Sequence, residues 1–280
     1  MKRDVLNSPR LTELKKYRRR AFWDKILFLL LGILIVFIFA IYLSRLNSLN
    51  ISDIEISGNK VVDTEMIKTV AQRELAGKYF GLFPKSNILF YPQNKIKNGL
   101  QNQFQRLENI NLSIQNNKIL EISVEERTPE YLWCEMVPEK CYFVDDNGYI
   151  FDTAPYFSGD VYFKLYGGTD INADNPLGSY FLKQNFQSLI SFKDMLEKMG
   201  LKPISLSSAD NGDIQMSLDG GTASAPEIVF NMNSDLETVA ENLETALTTE
   251  PLQSEFATKY TSLQYIDLRF GNKVYYKFSK

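Results

Sequence analysis

The sequence predicts an α+β protein in which one N-terminal transmembrane helix precedes two regions of mixed strands and helices. Three observations carry this prediction. Residues 26–43 contain no charged residue and no proline. Residues 51–126 change between strand and helix periodicity in the order β-α-α-β-β, and residues 127–280 hold mostly short alternating strands with flanking helices. We therefore expect a small first domain and a larger, mixed β-rich second domain.

The apolar run Ile26–Leu43 would extend about 27 Å as a helix, which is close to the hydrocarbon thickness of a bilayer. Aromatic residues flank it, as is typical of a membrane–water interface. A core helix of a soluble domain usually has a polar stripe, and this run has none. A cleaved signal peptide has a shorter apolar run and a small-residue cleavage site. We therefore predict an uncleaved helix that contacts the lipid bilayer.

The charge distribution predicts the orientation of this helix. Residues 1–25 carry nine basic and three acidic side chains, a net +6, whereas the chain from Leu46 onward carries −10. Basic residues favour the cytoplasmic side, so we expect a single-pass protein of the cell membrane whose larger part lies outside the cytoplasm. A basic tail can also bind nucleic acid or anionic lipid headgroups. Topology and lipid contact explain the tail, and no nucleic acid partner is expected.

These patterns give five segments. They are a basic cytoplasmic tail (1–25), the transmembrane helix (26–43), a linker (44–50), a first domain (51–126) and a second domain (127–280). The chain contains no histidine. This composition excludes Ser-His-Asp and Cys-His catalysis, histidine metal sites and histidine pH switches.

Local patterns also predict single elements. Helical spacing continues from Pro92 to Leu107, Ser179–Met199 is predicted as one amphipathic helix, and Ser234–Glu237 is predicted as a capping box. The hairpin at Asn116–Lys118 needs a three-residue loop to place all its apolar residues on one face. The same reasoning at the last hairpin predicts a three-residue loop that puts Asp267 opposite Lys277.

Two further groups of residues have alternative interpretations. Cys134 and Cys141 flank a polar loop containing Pro138, and outside the cytoplasm they are expected to form a disulfide; the alternative is two free thiols packed as small apolar residues. Asp145–Gly148 and Asp210–Asp213 resemble calcium loops but lack the distal glutamate, so both are interpreted as turns. No metal site or cofactor is expected.

Enzymatic activity and a small-molecule substrate are not expected either. Adjacent Glu125 and Glu126 on a strand point to opposite faces, which does not suit a shared acid–base site. The sequence has no glycine-rich phosphate loop.

Four short motifs occur in an order that resembles a known family. They are Ile54–Asn59, Val124–Pro129, Val144–Phe151 and Tyr265–Phe270. The first, together with β-α-α-β-β outside a single membrane helix, looks like a POTRA domain. The others are similar to motifs of the FtsQ/DivIB family of bacterial cell-division proteins, and the resemblance covers the whole chain.

The resemblance implies a non-catalytic divisome scaffold at the division septum. In that family the terminal strands bind the bitopic partner FtsB/DivIC, which comes with FtsL. The matching motif implies that Arg269 and Phe270 contact this partner. The alternative for Arg269 is a solvated charge at the edge of the sheet. Tyr275 and Lys277 are added because they lie on the predicted outer face. The alternative function is a POTRA-containing secretion or envelope-assembly factor, although such proteins usually have several POTRA units and a barrel.

Overall fold

The computed structural model describes residues 9–135, 140–168, 171–172, 174–209, 211–220 and 225–279. Residues 1–8 of the predicted tail, Pro138 of the cysteine loop and Asp210 of the second Asp-Gly segment lie outside these ranges. The described chain is α+β: one long N-terminal apolar helix is followed by a sheet-rich remainder. It forms two compact units, one running to Gln103 and including Asn109–Glu125, the other holding Phe104–Glu108 and the chain from Glu126 onward.

The N-terminal helix α1 (Pro9–Ser44) contains the predicted span and is long and apolar enough to cross a membrane. Its large apolar side chains from Leu27 to Phe39 are 45–72% exposed. A helix of a soluble core would bury these side chains, so the core-helix alternative is wrong.

After α1, the described residues of the first unit form two helices, a three-stranded sheet and a two-stranded hairpin. Its elements are β1 (Asp53–Ser57), α2 (Thr64–Leu75), the two-residue strands β2 (Lys78–Tyr79) and β3 (Phe83–Pro84), α3 (Gln93–Gln103), β4 (Leu107–Gln115) and β5 (Ile119–Glu126). The sheet order is β1-β5-β4, with β1 parallel to β5. Asp63 caps α2 by accepting the N–H of Met66. The two helices contact each other, and both bury apolar side chains.

The loop between β4 and β5 has the predicted three residues, 116–118. Side chains that the predicted register places opposite each other are hydrogen-bonded, since Ser113 donates to Glu121 at 2.8 Å and Asn109 donates to Glu125 at 2.6 Å. These side-chain contacts agree with the predicted register. Within the loop, the N–H of Lys118 bonds the carbonyl of Gln115, and Asn116 and Asn117 have left-handed φ values of 51° and 56°.

The helical prediction through Leu107 is wrong at its end. Helix α3 stops at Gln103, and a turn in which the N–H of Leu107 bonds the carbonyl of Phe104 leads into β4. Leu107 is buried in the strand. An apolar residue at this spacing fits both a helix and the following strand, and packing selects the strand.

The described part of the second unit contains a nine-stranded mixed sheet and three α-helices. Its elements are β6 (Tyr131–Cys134), β7 (Cys141–Val144), β8 (Ile150–Thr153), β9 (Phe163–Gly167), α4 (Phe186–Lys198), β10 (Pro203–Ser208), β11 (Asp213–Leu218), β12 (Glu227–Asn231), α5 (Leu236–Leu247), α6 (Leu252–Lys259), β13 (Leu263–Phe270) and β14 (Lys273–Phe278). The strand order is β14-β13-β12-β11-β10-β9-β6-β7-β8.

Among the described residues, two helical crossovers connect parallel strands of this sheet, and β6 and β9 form a third parallel pair. Helix α4 connects the parallel pair β9 and β10, and helices α5 and α6 connect the parallel pair β12 and β13. Helices α4 and α5 contact each other, and their apolar side chains join those of the strands in one core. The last strand, β14, therefore lies at one end of a sheet that the crossovers hold in place.

Two helix starts differ from the predictions. Helix α4 begins at Phe186 and not at Ser179, because residues 178–181 bond the backbone of Gly148 and Ile150 in an extended conformation. Helix α5 is capped by Asp235, which accepts the N–H of Glu237, and not by Ser234.

Candidate partner-binding edge

Strand β14 is paired on one side only within the described residues. Its neighbour is β13, and the sheet order ends with β14. Alternate side chains point to the core, namely Val274, Tyr276 and Phe278, while Lys273, Tyr275 and Lys277 are exposed. An edge of this kind presents backbone N–H and C=O groups that a strand from another chain can pair with.

The register of the β13–β14 hairpin differs from the prediction. Phe270 pairs with Lys273 across a two-residue turn, so the predicted three-residue loop is wrong. Asp267 lies opposite Tyr275, and not opposite Lys277 as predicted. The pairing shifts by one residue between Asp267 and Phe270, where the strand bulges. The exposed positions of Tyr275 and Lys277 agree with the prediction because the observed and predicted registers differ by an even number of residues.

The guanidinium of Arg269 is bound by two carboxylates of its own chain. Its Nε and Nη2 donate to Oδ1 and Oδ2 of Asp267 at 2.9 and 2.6 Å, and its Nη1 donates to Oδ2 of Asp213 at 2.8 Å. The backbone N–H of Arg269 also donates to Asp267 at 3.1 Å. Asn231 donates to the other oxygen of Asp213 at 3.1 Å. These contacts join β13 to β11 and β12 across the surface of the sheet.

The carboxylates of this cluster are held ionised. Hydrogen bonds from Arg269 lower the pKa of Asp267, and burial opposes them. The pKa of Asp213 is lowered first by the hydrogen bond from Asn231 and then by Arg269. The hydrogen bonds to Asp267 and Asp213 in turn raise the pKa of Arg269 above its ordinary range. The cluster therefore remains an ion pair at neutral pH.

This arrangement changes the role expected for Arg269. The side chain is 37% exposed, and three of its N–H groups bond Asp267 and Asp213, so it is not an unpaired cation. We interpret it as a positioning residue that fixes the bulge next to the turn. Sequence reasoning missed Asp213 and Asn231, and no pattern connects them to Arg269, because they precede it by dozens of residues.

An exposed aromatic pair lies beside this cluster. The rings of Phe270 and Tyr275 pack edge to face with centroids 5.2 Å apart. They are 55% and 49% exposed, and Tyr265 on the neighbouring strand is 37% exposed. The guanidinium carbon of Arg269 lies 5.9 Å from the centroid of the Phe270 ring. The turn thus presents a preformed apolar anchor next to the exposed amines of Lys273 and Lys277.

The motifs at Val124–Pro129 and Val144–Phe151 meet in a buried contact. Arg127 pairs with Asp145, and its guanidinium carbon lies 4.2 Å from the centroid of the Tyr149 ring. The second oxygen of Asp145 accepts the N–H groups of Asn147 and Tyr149 at 2.9 and 2.8 Å. The Asp145–Gly148 segment is therefore a turn whose aspartate is occupied by protein donors, and these motif residues stabilise the fold.

The remaining site candidates have structural positions as well. Cys134 and Cys141 are opposite each other in the β6–β7 pair and form a disulfide. Glu125 is exposed and Glu126 is partly buried, as expected for adjacent strand residues. Within the described ranges, no three acidic or cysteine side chains are grouped so that they could hold a metal ion.

No protein-family model matches the sequence, and no curated protein matches it significantly. The function therefore has to be argued from the residues and the geometry alone.

Proposed function

We propose that this chain is a non-catalytic scaffold of the bacterial divisome, of the FtsQ/DivIB type, that binds FtsB/DivIC-like and FtsL-like membrane proteins through strand β14. It would lie in the cell membrane at the septum, with residues 1–25 in the cytoplasm. The β-α-α-β-β region is proposed to be a POTRA domain and residues 127–280 the partner-binding domain.

Anchoring in the membrane supports this role. Helix α1 is long and apolar enough to span a bilayer, and basic residues dominate in residues 1–25, before its apolar run. Confinement to a membrane raises the effective concentration of other membrane-bound proteins. A modest interface is then sufficient for assembly.

The single observation that carries the proposal is the construction of the β14 edge. A strand that is paired on one side only within the described residues offers backbone hydrogen bonds, and an exposed aromatic pair, Phe270 and Tyr275, lies at the same edge. Backbone pairing supplies affinity in strand addition, while flanking side chains supply specificity. Lys273 and Lys277 favour a partner strand that carries acidic side chains.

Co-purification of the full-length chain with its FtsB/DivIC-like partner in detergent tests the proposal. We expect Phe270→Glu and Tyr275→Glu to weaken binding at least about tenfold, because each removes an exposed anchor and adds a charge of the wrong sign. Truncation after Gly271 removes the edge strand and should abolish binding. Tyr156→Glu is the matched control, since Tyr156 is 85% exposed and lies after β8.

Binding that survives all three changes would place the interface elsewhere on the chain. If no FtsB/DivIC-like or FtsL-like protein is captured by the unmodified chain, the proposal fails. The secretion or envelope-assembly alternative would then be preferred.

A further inference from the structure

A short hairpin in the first unit exposes large apolar side chains. Strands β2 and β3 are joined by the turn Tyr79–Leu82, in which the N–H of Leu82 bonds the carbonyl of Tyr79 at 3.0 Å. Phe80 at the tip of this turn is 94% exposed. Leu89 and Phe90, which follow β3, are 71% and 52% exposed. We refer to Phe80, Phe83, Leu89 and Phe90 as the Phe80 face.

The conformation of the turn makes the exposed phenylalanine unexpected. Phe80 and Gly81 have φ values of 50° and 71°, the left-handed pair that hairpin turns usually fill with Asn-Gly. A bulky residue is disfavoured at such a position and gains no packing from its own chain here. Strained residues of this kind are found where an external contact uses them.

The Phe80 face is continuous with the exposed surface of α1. The ring of Phe83 packs edge to face on Phe37 of α1, with centroids 6.0 Å apart, and the ring of Phe90 packs on Phe83 at 6.2 Å. Along the axis of α1, Phe37 lies about 9 Å before Leu43, the last residue of the apolar run, since a helix rises about 1.5 Å per residue. The hairpin therefore lies beside a part of α1 that the bilayer would cover.

Polar contacts fix the hairpin to the end of α1. The side-chain amides of Asn87 and Asn50 both donate to the carbonyl of Ser44 at 3.0 Å, and Ile88 donates its N–H to Leu49 at 3.0 Å. The last carbonyls of a helix lack internal partners, so these bonds complete the helix end. The segment predicted as a linker is thus hydrogen-bonded to the loop that carries the Phe80 face.

We propose that the Phe80 face inserts into the acyl-chain region of the membrane leaflet at the C-terminal end of α1, as a second and shallow anchor. This inference rests on the proposed membrane span of α1. Lys78 and Lys85 lie in the same hairpin region and favour contact with lipid phosphates. Two contacts with the bilayer would hold the first unit in one orientation at the membrane surface.

Lipid quenching of a fluorophore on the full-length chain tests this proposal. Phe80→Cys and Leu89→Cys are labelled separately with the polarity-sensitive dye NBD and placed in nanodiscs of phosphatidylcholine and phosphatidylglycerol that carry acyl-chain nitroxides. The native cysteines form a disulfide and do not take the label. We expect a blue shift of the emission at both positions and loss of most of the intensity to the nitroxides.

Two control positions separate this inference from the proposed span. Val36→Cys lies in α1 and is 68% exposed, so it should be quenched if α1 crosses the bilayer. Val61 is 66% exposed and follows the C-terminal end of β1, the end that lies farther along the chain from α1. A label at Val61→Cys should therefore not be quenched.

Quenching at Val36 without quenching at Phe80 and Leu89 would overturn the second anchor and leave the span intact. A blue shift at Phe80 without nitroxide quenching would show that protein covers the face, which also overturns the lipid assignment. No quenching at Val36 would refute the membrane span itself.

Discussion

The guanidinium of Arg269 uses three of its five N–H groups within its own chain. Its partner Asp267 is 8% exposed, so the carboxylate would be left buried and unpaired without the arginine. Removing one member of a buried hydrogen-bonded charge pair is more costly than replacing both members. At this site the arginine organises the bulge and turn, and the neighbouring aromatic residues Phe270 and Tyr275 remain exposed for the proposed partner.

The pH dependence of this pair gives the first prediction. The folded chain lowers the pKa of Asp267 below its ordinary value of 3.8. Its contribution to stability is therefore fully present above pH 3.8 and is lost as the pH falls through the lowered folded value. Asp267→Asn should be destabilised by about 1–3 kcal/mol at neutral pH. The difference from the unmodified chain should shrink in acid, as measured by thermal unfolding at several pH values.

Asp160→Asn serves as the matched control, because Asp160 is an exposed carboxylate of the same unit. It should not change the midpoint of unfolding. A deficit of Asp267→Asn that stays constant from neutral to acidic pH would contradict an ionic contribution.

At this scale the sequence reasoning did not predict the cluster, since it placed Asp267 opposite Lys277 and Arg269 in contact with a partner. The spacing of two positions on a strand is compatible with the observed pairing of Asp267 and Arg269. Asp213 cannot be found in this way, because it reaches Arg269 only when β11, β12 and β13 lie side by side.

At the scale of the element, the two hairpins show when register can be predicted. In β4–β5 the apolar residues alternate without interruption, and the three-residue loop at 116–118 follows from their burial. In β13–β14 the bulge after Asp267 adds a residue on one strand, which allows a two-residue turn to keep the same faces buried. A bulge leaves no clear periodic signal, so the rule failed there.

The disulfide hairpin gives the second prediction. The cysteines are 7 positions apart and lie on adjacent strands. In the chain-entropy account, closing so short a loop lowers the entropy of the unfolded chain and so raises its free energy by about 2.5 kcal/mol. Reduction should lower the free energy of unfolding of the second unit by about this amount. The change should be measured as a lower denaturant midpoint, followed by the fluorescence of Trp133, which is buried beside Cys134.

Cys134→Ala/Cys141→Ala is the control for this experiment. It should unfold at the midpoint of the reduced chain and should not respond to reductant. A reductant effect of equal size on this variant would show that the disulfide is not the cause.

At the scale of the whole molecule, the proposed orientation in the membrane gives the third prediction. A reporter enzyme that folds only outside the cytoplasm should be active when fused after Phe278 and inactive when fused after Arg20, because basic residues favour the cytoplasmic side. Replacing Arg18, Arg19 and Arg20 by Glu should lower the activity of the C-terminal fusion. Activity of the Arg20 fusion would contradict the orientation.

The architecture also shows what local patterns leave open. The sequence predicted most strands of the second unit and an edge at its C-terminal strands, but not that β6 pairs with both β7 and β9. The extended segment before α4 was predicted as helix because its apolar spacing is helical, whereas bonds to Gly148 and Ile150 hold it extended. Long-range backbone pairing overrode the local preference.

By itself, the sequence determined the apolar helix, the β-α-α-β-β order, the buried faces of most strands and the β4–β5 register, because periodicity reports which side of an element meets a core or a bilayer. Only the tertiary structure decided the order of the nine strands, the Asp213–Arg269 contact, the turn at Gly271 and the position of Phe83 against Phe37. These features join residues distant in the chain or depend on a local irregularity. They are selected when the whole sheet and its helices pack together, and no local pattern encodes that choice.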